Sequence, residues 1–179
     1  MKKIITKSAL ETMKLGEKLA NRFRGGETIA LTGDLGTGKT TLIKGIAKGL
    51  GVKKNITSPT FVLMKTYDTD GHGYKTDSHG SRIRQLCHAD AYRINNGQEL
   101  KDIGIMEYID DPRTLTIIEW AEKVKEILPL STRSASSALS SEPKGRSRSH
   151  LRSMIIWIKM GYGKKENERE IEVISPSID

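Results

Sequence analysis

The sequence predicts an α/β fold of three layers, with helices on both sides of a mixed, mostly parallel central sheet and a C-terminal β-hairpin. Three observations carry that prediction. The apolar run Ile29-Ala30-Leu31-Thr32 leads directly into the glycine-rich octapeptide Gly33-Asp34-Leu35-Gly36-Thr37-Gly38-Lys39-Thr40, which is followed by apolar residues at helical spacing. Apolar runs ending in acids recur later in the chain. Near its end, residues 154–160 and 170–174 alternate as strands around a turn over 161–168. One domain over residues 1–179 suits this length.

The elements follow in order. Ser8 with Glu11 reads as a capping box, and Leu10, Met13, Leu19, Ala20 and Phe23 continue at helical spacing until Gly25-Gly26 stops them. A strand at 29–32 and the octapeptide come next. Leu42, Ile43, Ile46, Ala47 and Leu50 then mark a helix from 39 to about 50, with Gly51 where a C-terminal glycine belongs. Thr57-Ser58-Pro59-Thr60 breaks the pattern, because proline disfavours helix in the residue before it. A strand is expected over 61–67, a long hairpin loop over 68–84 that includes His72 and His79, and a strand over 86–92. A short helical piece over 98–108 and the run Leu115-Thr116-Ile117-Ile118, closed by Glu119-Trp120, precede Leu128-Pro129.

The octapeptide fits GxxxxGK[ST], the pattern of a phosphate-binding loop, and so points to the fold of the P-loop NTPases. Glycines let the backbone approach phosphate oxygens, and successive N–H groups and the following helix N-terminus add positive potential. Lys39 would neutralise the β- and γ-phosphates, and the Thr40 hydroxyl would coordinate Mg²⁺. By chance such a match arises in about one or two chains in a hundred of this length. The strand before it and the helix after it make an accident rarer still.

Hydrolysis needs a carboxylate at the C-terminal end of a neighbouring strand. Asp90 closes Leu86-Cys87-His88-Ala89 and Glu119 closes the 115–118 run. In a parallel sheet both would meet the phosphates at the strands' carboxyl edge, as metal ligands or as the group that orients water. Thr60 stands where phosphate-loop switch proteins place a threonine that reaches the γ-phosphate and Mg²⁺, although a turn threonine beside proline fits it equally. No NKxD pattern occurs, which favours ATP over GTP. Trp120 shields the site, contacts a partner or packs in the core, and His88 reads as a packing or locally bonded residue without a catalytic role.

Composition sets the surroundings. The single Cys87 excludes an intrachain disulfide, no Cys/His cluster has zinc spacing, and no apolar stretch reaches membrane-spanning length, so a soluble, cytoplasmic protein with no membrane association is expected. The net charge of +8 points to acidic partners, nucleic acid among them. Residues 131–153 hold five basic side chains, Arg133, Lys144, Arg146, Arg148 and Arg152, against Glu142 alone, and so account for half of the excess. With nine serines, this Ser/Arg-rich insertion is expected to be a solvated, mobile loop.

Five strings in order carry a family likeness: Gly33 to Thr41, Ser58-Pro59-Thr60-Phe61, His88-Ala89-Asp90-Ala91-Tyr92-Arg93, Glu99-Leu100 with Ile103-Gly104, and Ile118-Glu119-Trp120. Over roughly residues 8–128 and the final hairpin the chain resembles the TsaE (formerly YjeE) family, bacterial ATPases required for making threonylcarbamoyladenosine in tRNA. The resemblance implies Mg²⁺-dependent ATPase activity, nucleotide held by Gly33 through Thr41, and a site completed by Thr60, Asp90 and Glu119 with Trp120 close by. It further implies an accessory motor that binds the TsaD and TsaB proteins and lets the threonylcarbamoyl-transferase complex turn over, with tRNA engaged indirectly. Ala89 and Ala91 depart from the family's larger apolar residues, Ala121 stands where proline is frequent, and the 131–153 insertion interrupts a connection that is ordinarily short.

Two other readings remain at this point. A small-molecule kinase would use the same loop but needs an arginine-bearing lid. A nucleotide-dependent RNA-binding module would use the 131–153 charges, although that segment has no aromatic residue for base stacking.

Overall fold

The computed structural model describes residues 2–70, 83–109, 111–128 and 154–174. The 131–153 insertion, His72 and His79, and most of the expected hairpin loop lie outside the described residues. Seven strands form one sheet in the order β1-β7-β6-β2-β5-β4-β3. Their ranges are β1 Lys2–Thr6, β2 Glu27–Thr32, β3 Met64–Asp68, β4 Gln85–Asp90, β5 Thr114–Glu119, β6 Met154–Tyr162 and β7 Arg169–Ile174. The centre is parallel: β2 lies between β5 and β6, and β4 continues the run beside β5. The flanks are antiparallel, with β3 on β4 and the β6–β7 hairpin extended by β1. Among the described residues no helix is long and apolar enough to cross a membrane.

Two helices, α1 Ala9–Ala20 and α2 Lys39–Gly49, cover one face, where Ile29, Leu31, Leu42, Ile43, Ile46, Leu86, Leu115 and Ile117 form the larger core. The opposite face carries α3 Gln98–Asp102, α4 Ile105–Ile109 and a kinked 3₁₀ helix over Ala121–Ile127, packed on Ala30, Cys87, Ala89 and Ile118. Alternate residues of the central strands therefore feed two cores, which is why those strands read as continuous apolar runs. The three layers expected from the sequence are present.

Local chemistry accounts for the boundaries. The Ser8 hydroxyl accepts the Glu11 amide at 3.1 Å, while the Glu11 carboxylate reaches one residue further back than a capping box requires and accepts the Lys7 amide. At the other end of α2, Gly51 takes φ 75° and the Val52 and Gly51 amides donate to Ala47 and Lys48, the pattern of a Schellman cap. The two helices touch backbone to backbone, since a Cβ on Gly45 would lie 2.0 Å from the Met13 carbonyl oxygen and one on Gly16 would lie 2.4 Å from that of Leu42.

Three sequence expectations need correction. The strand expected from Phe61 begins only at Met64, because Leu63 adopts φ 62° and the Met64 amide closes back on the Val62 carbonyl at 2.7 Å, a γ-turn that leaves Phe61 and Val62 exposed. The strand expected to reach Tyr92 ends at Asp90. The single helical piece over 98–108 is two short helices, divided where Gly104 takes φ 85°. Strand β1 and the 3₁₀ helix were not foreseen at all.

Candidate functional site

The site lies at the carboxyl edge of the parallel strands. Strand β2 ends at Thr32 and the loop turns through Gly33, Gly36 and Gly38, whose φ values of 129°, 79° and 93° favour glycine. Gly33 has a second reason to lack a side chain: a Cβ there would sit 2.0 Å from the Met160 carbonyl oxygen of β6. The loop is also held from its other side, where the Tyr162 hydroxyl donates to the Leu35 carbonyl. Thr37 closes it internally, its hydroxyl donating to the Asp34 carbonyl at 2.8 Å.

Lys39 opens α2 but folds back over the loop. Its ammonium donates to the carbonyls of Gly33 at 2.6 Å and Asp34 at 2.8 Å and lies 4.0 Å from the centre of the Trp120 ring. It is buried, and burial pushes its pKa below the ordinary lysine value, against the opposing pull of Glu119, Glu122, Asp90 and Asp34. Thr40 points the other way, toward β5, with its hydroxyl 3.1 Å from each oxygen of the Glu119 carboxylate.

The two acids expected from the sequence stand side by side, since Asp90 of β4 and Glu119 of β5 are partners in the parallel register. Each has its own set of bonds. Glu119 also takes the ring of His88 at 2.8 Å, with both side chains buried. Asp90 gathers the Thr60 hydroxyl at 2.5 Å and the Ser58 hydroxyl at 2.7 Å on one oxygen, and the Tyr92 amide at 2.9 Å on the other. Of the residues expected from the sequence, the structure brings Thr40 onto Glu119, pairs Glu119 with Asp90 and sets Thr60 on Asp90. The sequence missed His88 as a partner of Glu119 and Ser58 as a partner of Asp90. The signal for His88 was its spacing, two residues before Asp90 and hence on the same face of β4.

Backbone strain collects here as well. Among the described residues the non-glycine residues with positive φ are Leu63 and Trp120, at 62° and 59°. Each costs about 1–3 kcal/mol and persists only where surrounding contacts impose it. Leu63 offers its carbonyl to the Asp90 amide at 3.0 Å. Trp120 turns the chain sharply after Glu119, setting the indole over Lys39 and against Tyr92, with ring centres 5.1 Å apart.

The residues present fit a bound polyphosphate with a small hard cation. No side chain caps α2 at Gly38, which leaves the helix N-terminus open to an anion. Among the described residues no three His, Cys, Asp or Glu side chains converge to cage a metal. A hydroxyl with one or two carboxylates beside a phosphate cradle is the donor set that suits Mg²⁺, which keeps waters and leans on phosphate oxygens. Beside Gly33 an open groove of about 530 Å³ is lined by Thr32, Glu122, Lys125, Trp157 and Lys159, and neither Thr40 nor the two acids reach it.

Comparison with known proteins agrees with this architecture. The family model described as "Threonylcarbamoyl adenosine biosynthesis protein TsaE" matches residues 6–149. The tRNA threonylcarbamoyladenosine biosynthesis protein TsaE of Streptomyces coelicolor is 38% identical over 116 residues, which cover 64% of this chain and 70% of that one. The protein of the same name from Treponema pallidum is 35% identical, over 70% of this chain and 82% of the relative. The crystal structure of Bacillus subtilis YdiB superposes with a TM-score of 0.62 at 25% identity, covering 98% of this chain and 86% of that one.

Proposed function

Since this chain belongs to the TsaE family, we propose that it is a Mg²⁺-dependent ATPase that assists the threonylcarbamoyl-transferase complex in making threonylcarbamoyladenosine in tRNA. The observation that carries the enzymatic part is the Thr40–Glu119 contact, which joins the first turn of the phosphate-loop helix to the acid on the next strand.

On this reading the loop amides from Gly33 to Thr41 cradle the β- and γ-phosphates of ATP. Lys39 exchanges the carbonyls of Gly33 and Asp34 for phosphate oxygens and so moves its charge onto the group being transferred. Thr40, Asp90 and Glu119 would hold Mg²⁺, which when bound neutralises charge across the phosphates. Glu119 already accepts from Thr40 and His88 and keeps lone pairs free to orient a water for in-line attack. Thr60, held against Asp90, would contact the γ-phosphate as the switch threonine does in phosphate-loop proteins. The partners proposed are TsaD and TsaB, with tRNA contacted through them and the cytoplasm as the compartment.

The test is hydrolysis of Mg·ATP by the purified protein, alone and with TsaD and TsaB. Phosphate release that rises in the presence of the partners, and is absent from Lys39→Ala, supports the reading. Release that persists in Lys39→Ala, or its absence in every mixture, would sink it.

A further inference from the structure

His88 lies wholly inside the protein, on the face of β4 that looks toward α2. Its Nε2 is 2.8 Å from Glu119 Oε1, and its Nδ1 has no hydrogen-bond partner among the described residues. The proton must therefore sit on Nε2. The opposite tautomer would set a lone pair against a carboxylate oxygen at that distance and would also bury an N–H with nothing to receive it. A buried ring nitrogen left without a partner is unfavourable, and a purely packing role would be filled more stably by an apolar side chain.

We infer that His88 is a positioning residue for the proposed ATPase: its Nε2–H fixes one oxygen of Glu119, so that the carboxylate presents its remaining lone pairs at the mouth of the phosphate loop. Thr40 cannot do this alone. Its hydroxyl has a single proton and lies equally far, at 3.1 Å, from both carboxylate oxygens, so it does not select between the two faces of the group. Once the threonine oxygen faces a cation, the hydroxyl proton still needs an acceptor, and a Glu119 held still by His88 supplies it. Partners that orient a ligating carboxylate or imidazole in this way typically matter by about 10–100-fold. His88 touches neither nucleotide nor water in this account; it acts through Glu119.

This inference rests on the ATPase reading, and the experiment separates the two. Three variants are compared with the wild type. His88→Gln keeps an N–H donor near the Nε2 position, His88→Asn places its amide short of Glu119, and His88→Leu fills the space without a donor. Turnover should fall about 10–100-fold in the Leu and Asn variants with KM for ATP nearly unchanged, and His88→Gln should recover most of it. The second readout is ADP affinity by calorimetry with and without Mg²⁺. Metal-free affinity should be the same in all four proteins, while the gain conferred by Mg²⁺ should shrink at least about threefold in the Leu and Asn variants only. Equal turnover and equal Mg²⁺ gain in His88→Leu overturn the positioning role while leaving the ATPase intact. A parallel loss of metal-free ADP affinity in all three variants also overturns it, by showing a structural effect. A wild type without Mg²⁺-dependent hydrolysis overturns the ATPase reading itself.

Discussion

The Lys39 ammonium rests 4.0 Å from the centre of the Trp120 indole while its protons are taken by two carbonyls of its own loop. The cation that the proposed mechanism brings to the phosphates thus lies on an aromatic face. On that proposal, phosphates entering the loop would draw it away. In a Trp157→Phe background, where Trp120 is the only indole, ADP should therefore change tryptophan emission, and Lys39→Met should abolish both the change and the binding. An unchanged spectrum on saturation with ADP would refute the exchange.

Burial also makes the same lysine sensitive to pH. Its folded pKa lies below the ordinary 10.5, so between the two values the unfolded chain holds a proton that the folded chain has partly released. Stability then rises with pH through that window. Urea melts of wild type and Lys39→Met, from neutral pH to about 10.5, should show the wild type gaining relative to the variant as pH increases. Parallel curves would argue that Lys39 pays no desolvation cost.

Glu119→Gln should separate binding from chemistry. The loop amides and Lys39 are untouched, so nucleotide affinity should stay within about threefold, while hydrolysis should drop by about 100-fold or more once the carboxylate proposed to orient water loses its charge. Loss of binding instead would mark Glu119 as chiefly a metal ligand.

Ser58 and Thr60 place two hydroxyls on the same Asp90 oxygen and lie 2.6 Å from each other. Two protons serve three contacts. Removing one hydroxyl leaves the other to donate, whereas removing both leaves that oxygen bare. Ser58→Ala and Thr60→Val should therefore be non-additive in urea unfolding, the double variant costing more than the sum by about 0.5–3 kcal/mol. Simple additivity would show the carboxylate to be held elsewhere.

Gly45→Ala should destabilise by about 1–3 kcal/mol or more, since the added methyl meets the Met13 backbone oxygen, which cannot swing aside. The urea midpoint should fall with an unchanged slope. A neutral effect would mean that α1 and α2 slide apart freely.

What the sequence disclosed was the chemistry that is local along the chain. The strand, glycine loop and helix around Lys39 are contiguous, and the acids sit at the ends of apolar runs, so both could be read residue by residue. What stayed hidden depends on distant partners. Strand β1 is short, begins with two lysines, and exists because β7 pairs with it from the far end of the chain. His88 resembled a packing residue because its acceptor lies 31 positions later, on another strand. Phe61 and Val62 have strand composition, and only the γ-turn at Leu63 keeps them out of the sheet. Helices α3 and α4 looked like one helix because a lone glycine in a helical pattern is often tolerated.

The close seating of Gly33 on the Met160 carbonyl has a consequence for when the molecule becomes competent. During synthesis the glycine loop leaves the ribosome with its helix directly behind it, yet the floor on which it rests is made more than a hundred residues later. Tyr162, which fastens Leu35 from the side, arrives later still. A nascent chain therefore carries the whole glycine-rich motif through more than a hundred residues of translation without the support that shapes it. The loop takes its folded shape only after β6 has slid in beside β2, so that the part of the candidate site made first is finished by a strand made long after it.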